Sequence, residues 1–217
     1  MNKMLVVLFV LVISASLTFA GTPMTNQGTK ALSFQFTGLG SFGVGDASTH
    51  SISTPLGTAS IAGFGGKYYL SNDMELRGVL AFNMKTDQSK DGAGVDNGKT
   101  TTTDFGLAPA LLWHMTASGS VSPYWGIGAE FAWTKTTHTP QPTGNESSTS
   151  GTAFGAAGIL GAEWWAWDNL SFNAEYQLAF TTASGKSDVG GTSVDGPSTT
   201  NVGISSFWMG INVYLGQ

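Results

Sequence analysis

In the stretch Met74 to Asn83, apolar and polar residues alternate without a slip. Met74, Leu76, Gly78, Leu80 and Phe82 take one parity; Glu75, Arg77, Val79, Ala81 and Asn83 take the other. Upstream, Tyr68 and Leu70 lead into the turn formers Ser71, Asn72 and Asp73. Period-two alternation on both sides of a tight turn is the pattern of a β-hairpin. A sheet half-buried in a soluble protein turns the apolar face inward and its charges to water. Which face is wet is the question the rest of the chain must settle.

The alternation recurs with a regular rhythm and predicts eight strands: 31–45, 59–70, 74–86, 102–115, 123–134, 152–165, 170–181 and 201–215. The connections alternate in length. Long ones cover 46–58, 87–101, 135–151 and 182–200, rich in Ser, Thr, Gly, Asp and Pro; short ones cover 71–73, 116–122 and 166–169. Short turns at one end and long loops at the other are the rhythm of a transmembrane β-barrel, with short periplasmic turns and long extracellular loops. A β-sandwich gives no reason for every second loop to be long. The expected fold is therefore all-β: an eight-stranded antiparallel up-and-down barrel over residues 31–217.

The N-terminus predicts export. Lys3 precedes an apolar run from Leu5 to Ile13, and small and polar residues end at Thr18-Phe19-Ala20. That is a signal peptide over residues 1–20, cut after Ala20; a membrane anchor helix would need a longer run. Residues 21–30 read as a short unpaired periplasmic lead-in. The chain has no Cys, so export brings no disulfide. Only 11% of residues are charged, with 9 Lys plus Arg and a net charge of -5, which leaves no basic stripe for nucleic acid. The apolar stretch Ala153 to Trp167 is broken by Glu163 and several glycines and is not a membrane helix.

Sorting every strand by parity decides which face is wet. One face carries bulky residues: Leu32, Phe34, Phe64, Tyr68, Leu76, Leu80, Phe82, Phe105, Trp113, Trp125, Trp133, Phe154, Trp164, Tyr176, Phe180 and Ile211 among others. The other carries Lys67, Glu75, Arg77, Asp104, Glu130, Glu163 and Glu175, with Gln35, Asn83, His114, Asn173, Gln177 and Asn212. Lys135, at a loop mouth, is the exception. A Lys or Arg facing lipid at mid-membrane costs roughly 2–4 kcal/mol, which accounts for so strict a sorting. The polar face is otherwise mostly Gly, Ala and Ser, which suits the inside of a narrow barrel. The opening hairpin is thus inverted: apolar side to lipid, Glu75 and Arg77 to the lumen. The opposite arrangement, a soluble lipocalin-like barrel, would need a ligand cavity filled by bulky rings. Tyr68, Trp113, Trp125 and Trp164 fall near the short turns; Phe82 and Trp133 fall near the long loops. They predict two aromatic girdles.

With these features the chain resembles the bacterial eight-stranded outer-membrane β-barrel superfamily of the OmpX, OmpW and opacity-protein type. The resemblance spans Ala31 to Leu215 and is carried by "FGVG", "GFGGKYYLSNDMELRGVLAFN", "PYWGIGAEFAW" and "NLSFNAEYQLAF". The last strand, "WMGINVYLG", is similar to the family's C-terminal assembly signal through Gly210, Val213 and Leu215, although Gln217 stands where Phe is usual. The resemblance implies an outer-membrane location, lipids and the barrel assembly machinery as partners, and a monomer. No appended peptidoglycan-binding domain is recognisable.

No motif carries catalytic or cofactor chemistry. "GLGSFG" (Gly38, Gly40, Gly43) has dinucleotide-loop spacing but runs on as strand and loop instead of opening a helix. "DGAGVDNG" lacks the spacing and closing Glu of a calcium loop. Of the three histidines, His50 and His138 lie in loops and His114 points inward, the wrong parity for a rim Ser-His-acid set. Neither a cofactor nor a metal is expected, and the protein is not expected to be an enzyme. The inward charges suffice as a structural network: Lys67, Glu75 and Arg77 in one cluster in the periplasmic half, with Glu130, Glu163 and Glu175 as acceptors on the opposite wall. Two functions fit. One is a rigid barrel, its lumen filled by side chains, displaying four polar loops to host or environmental surface ligands or supporting envelope integrity. The other is a small OmpW-like channel for ions or small apolar compounds, motivated by the small inward residues Gly126, Gly128, Gly155, Ala157 and Gly161.

Overall fold

The computed structural model describes residues 21–37, 51–54, 57–60, 63–90, 96–115, 117, 119–140 and 145–215. Among them are ten strands: β1 (Lys30–Thr37), β2 (Ser51–Thr54), β3 (Gly57–Ser60), β4 (Gly63–Tyr69), β5 (Met74–Lys90), β6 (Asp96–His114), β7 (Val121–Thr139), β8 (Ser147–Trp167), β9 (Leu170–Val189) and β10 (Thr192–Leu215). Eight of them close into one barrel in the order β1-β10-β9-β8-β7-β6-β5-β4, with every pair antiparallel. Closure seals the last strand to the first, Leu32 opposite Val213 and Gln35 opposite Gly210, so neither is left as an open edge. The remaining two, β2 and β3, form a separate hairpin within the first long connection. The signal segment, together with Phe42, Val44, His50 and the glycines of "GLGSFG", lies outside the described residues.

Side chains follow the predicted parity. On the outer wall Phe82 is 72% exposed and Leu160 64%, while inward Glu75 and Glu163 are fully buried. Water would penalise such an exterior heavily; hydrocarbon does not. The outer rings meet across strands. Trp113 stacks on Trp125 at 4.7 Å and Trp164 on Phe172 at 5.7 Å near the short turns. At the other end, Phe82, Phe105 and Trp133 form one cross-strand row.

Three features depart from the sequence reading. First, most of the long connections are strand. β5 to β10 run on as ribbons well past the predicted ends, each still paired with the next (Lys99 opposite Thr139, His138 opposite Ser147, Ser147 opposite Val189), and β9 and β10 meet at Gly190-Gly191. Both glycines have positive φ, 58° and 84°, as a tight hairpin turn requires. These ribbons are rich in Thr and Ser on both faces. Thr favours strands, but with no apolar face there is no alternation to read. Second, the lumen is not lined by small residues alone. Tyr69, Tyr124, Trp165, Trp208 and Tyr214 all point inward and are buried. Glycines make room for them: a Cβ on Gly161 would lie 2.6 Å from the Tyr124 ring. Third, the lead-in is not free. Lys30 already opens β1, and residues 21–29 lie outside the sheet, but Gly28 N–H donates to Tyr69 O (2.8 Å), Gln27 N–H to Asn72 Oδ1 (3.0 Å) and Thr22 N–H to Asp168 Oδ1 (3.0 Å). Met24 packs against the cluster of Tyr69, Trp165 and Tyr214.

Candidate functional site

The polar lumen is the site that strand parity builds. β4 and β5 meet across a short turn, so Lys67 stands directly opposite Arg77. Two like charges in register repel. The barrel resolves this by turning each to its own carboxylates. Lys67 Nζ lies 3.2 Å from Glu75 Oε2 and 2.8 Å from Glu163 Oε2. Arg77 crosses the lumen to Glu175 and binds it with both terminal nitrogens, at 2.8 and 2.9 Å. All these side chains are almost completely buried. A buried charge is tolerable only when paired and hydrogen-bonded, and Glu163 and Glu175 have neutral donors as well. Glu163 accepts from Ser171, from Asn212 Nδ2 (2.9 Å) and from the Tyr214 hydroxyl (2.8 Å). Glu175 accepts from the Tyr124 hydroxyl (2.8 Å) and Gln177 Nε2 (2.9 Å).

The two halves form one network. Asn212 Nδ2, on Glu163, also reaches Asn173 Oδ1 (3.2 Å), and Asn173 Nδ2 donates to the Tyr124 hydroxyl (3.3 Å) that binds Glu175. Ser33 and Gln35 extend it along β1. The geometry thus brings Lys67, Glu75, Arg77, Glu163 and Glu175 together near the short turns. Two of the expected members sit elsewhere. Asp104 is only half-buried and lies at the ribbon end, where it accepts from Asn83 (3.1 Å) and Thr134 (2.6 Å). Glu130 is buried midway, where with Arg77, Gln177 and Trp208 it lines a cavity of about 20 Å³. That is room for about one water molecule.

The lumen's tyrosines and His114 were not joined to this network by sequence reasoning. Parity alone could have found them: Tyr69 follows Lys67 by two residues, Trp165 follows Glu163, and Tyr214 follows Asn212. His114 Nε2 is 3.0 Å from Glu75 Oε2 and its Nδ1 is 3.2 Å from Ser122 Oγ. A Ser-His-acid connection therefore exists, but inside the lumen and not at the lipid-facing rim. It is enclosed by the barrel wall. Ser122 is fully buried, and its hydroxyl lies within reach of Met115 O (3.0 Å) as well as of the imidazole. Glu75, the acid, is already taken by Lys67.

Glu75, His114 and Glu163 also place their ligand atoms within 4.8 Å of one another, close enough to share a cation. The Lys67 ammonium occupies that role, using the same Oε2 atoms of both glutamates. A divalent ion would have to displace it.

On the last strand, Gly210 faces inward. A Cβ there would collide with Asn173 Oδ1 and come within 2.6 Å of Gln35 Nε2. Its glycine thus serves the lumen, whereas Val213 and Leu215 lie on the outer parity. The residues expected in the girdles, Tyr68, Trp113, Trp125, Trp164, Phe82 and Trp133, are all on the outer wall, exposed or half-exposed.

A family model described as an outer membrane protein beta-barrel domain matches residues 5–206. Among solved structures, the chain is similar to Ail, the attachment invasion locus protein of Yersinia pestis. The identity is 14%, over 87% of this chain and 99% of that one, with a TM-score of 0.36. No curated protein matches the chain. The family match covers nearly the whole length, from the N-terminal apolar run into the last strand: the chain belongs to the outer membrane protein β-barrel domain family.

Proposed function

We propose that this outer-membrane barrel is a display scaffold, a rigid non-catalytic plug in the membrane that holds polar hairpins outside it for surface binding or envelope integrity. The observation that carries this reading is the contrast between the two ends of the same strands. In the membrane, the lumen is packed with paired charges and rings. Beyond the outer girdle, the walls continue as ribbons. From Phe180 to Val189 β9 adds nine residues, a reach of roughly 30 Å if extended. Ribbons paired through their backbones are stiffer than loops and present a fixed surface of hydroxyls, such as Thr102 against Thr136 (3.1 Å).

The glycines that motivated a channel support the filled lumen instead, since Gly161 and Gly126 admit Tyr124 and Leu112. The test has two arms. Replacing residues 183–199 by a short turn should leave a barrel that still assembles but has lost surface attachment or envelope resistance. Purified folded protein in a planar bilayer should give no discrete openings. Unchanged attachment and resistance after trimming all the ribbons, or regular single-channel steps, would refute the reading.

A further inference from the structure

The Ser122–His114–Glu75 connection is too buried to meet a substrate. The shallow apolar groove on the outer wall around Pro109, Ala129, Ala156 and Gly158 faces lipid in any case. The remaining feature is the strap formed by residues 21–29. It begins at the turn between β8 and β9, packs Met24 beneath the short-turn end of the barrel, and ends against the turn between β4 and β5.

Its first residue is held most closely. Gly21 N–H donates to Trp165 O at 3.1 Å, and the next amide, of Thr22, reaches the Asp168 carboxylate at 3.0 Å. A side chain on Gly21 has no space: a Cβ would collide with the Trp167 carbonyl and lie 2.7 Å from Asp168 N. Only glycine fits this seat. Independently, Thr18-Phe19-Ala20 places the end of the signal segment at the bond before the same residue.

We propose that Ala20–Gly21 is the processing site and that the turn at 165–168 is a receptor for the amino terminus it creates. A leader-cleaving protease of the envelope would hydrolyse the bond. Water adds its oxygen to the Ala20 carbonyl, leaving a carboxylate on the released leader and an ammonium on Gly21. The seat suits an ammonium: it offers the Trp165 carbonyl as acceptor and the Asp168 carboxylate one residue away. Ion–acceptor hydrogen bonds are stronger than neutral ones. Cleavage therefore tightens the strap over Tyr69, Trp165 and Tyr214, directly beneath the Lys67–Glu75–Glu163 pairs. Export and barrel closure become coupled: the strap is fully latched only after the leader has gone.

The experiment compares three refolded chains: one beginning at Gly21, one retaining Ala20, and Gly21→Val. Initiator Met is removed ahead of Gly, Ala or Val, so all three can be made directly. Hydrogen exchange in residues 22–29 is read in vesicles, and the protein exported by cells is analysed for its N-terminal sequence. Exported protein should begin at Gly21. Retaining Ala20, or Gly21→Val, should speed exchange of the strap by at least about tenfold while β5 to β9 stay protected. An exported N-terminus elsewhere would overturn the processing site. Strap exchange in the Ala20-retaining chain equal to that in the Gly21 chain would overturn the ammonium seat. Equal exchange in Gly21→Val would overturn the steric fit.

Discussion

Arg77→Leu is the most informative single change in the lumen. Its side chain is 4% exposed and that of Glu175 is fully buried, and two hydrogen bonds of 2.8 and 2.9 Å join them. Leucine removes the charge and both bonds and leaves Glu175 anionic with only Tyr124 and Gln177 to solvate it. Breaking one side of a buried pair typically costs about 3–5 kcal/mol, a loss of roughly 10² to 10⁴ in the folding constant. Glu175→Leu should cost about as much for the mirror reason, since Arg77 is then stranded. The double variant removes both charges and leaves the Tyr124 hydroxyl without its carboxylate acceptor. At about 1–3 kcal/mol, this predicts about 1–3 kcal/mol for the double, below the roughly 6–10 that additivity would give. Equilibrium folding in urea with phospholipid vesicles reads all three, by tryptophan fluorescence and by the migration of unheated samples in gels. If Arg77→Leu lies within about 0.5 kcal/mol of wild type, or the two single costs add, the pair is not a buried ion pair and the reasoning fails.

Leu80→Lys puts a charge on the lipid face at mid-wall and should cost roughly 2–4 kcal/mol of insertion, seen as loss of the compact band and of outer-membrane protein in cell fractions. Gly210→Ala should destabilise by about 1–3 kcal/mol, because its methyl meets the Asn173 and Gln35 amides. Gly158→Ala, with open space around it on the lipid face, should be close to neutral in the same urea titration. Asn212→Leu removes the amide that ties Glu163 to Asn173, and its cost should fall when combined with Glu163→Leu, a coupling a double-mutant cycle detects.

What the sequence made legible, and what it did not, follows the physics of alternation. Where one face meets lipid, as at Leu76, Leu80 and Phe82, period two is enforced residue by residue, and the wall can be read directly. The same parity identified Lys67, Arg77, Glu163 and Glu175 as inward. It could not say that Arg77 would choose Glu175 and Lys67 would choose Glu163. Partners across a lumen depend on how the closing sheet staggers, which no local pattern records. The ribbons escaped because water on both sides imposes no alternation, so Thr100 and Thr101, and Thr136 and Thr137, resemble loop. The strap escaped because its contacts are single backbone amides to turn residues far away in sequence, with no period at all.

The central claim is that the apolar parity meets lipid and the charged parity does not. The absence of cysteine makes a direct test clean. Single cysteines at positions 76, 78, 79, 80, 81 and 82, spin-labelled in folded protein in vesicles, report collision with oxygen dissolved in the bilayer. Labels at Leu76, Gly78, Leu80 and Phe82 should collide readily, and those at Val79 and Ala81, which are buried, should be shielded. The opposite phase, or no alternation across these six positions, would contradict the inside-out barrel.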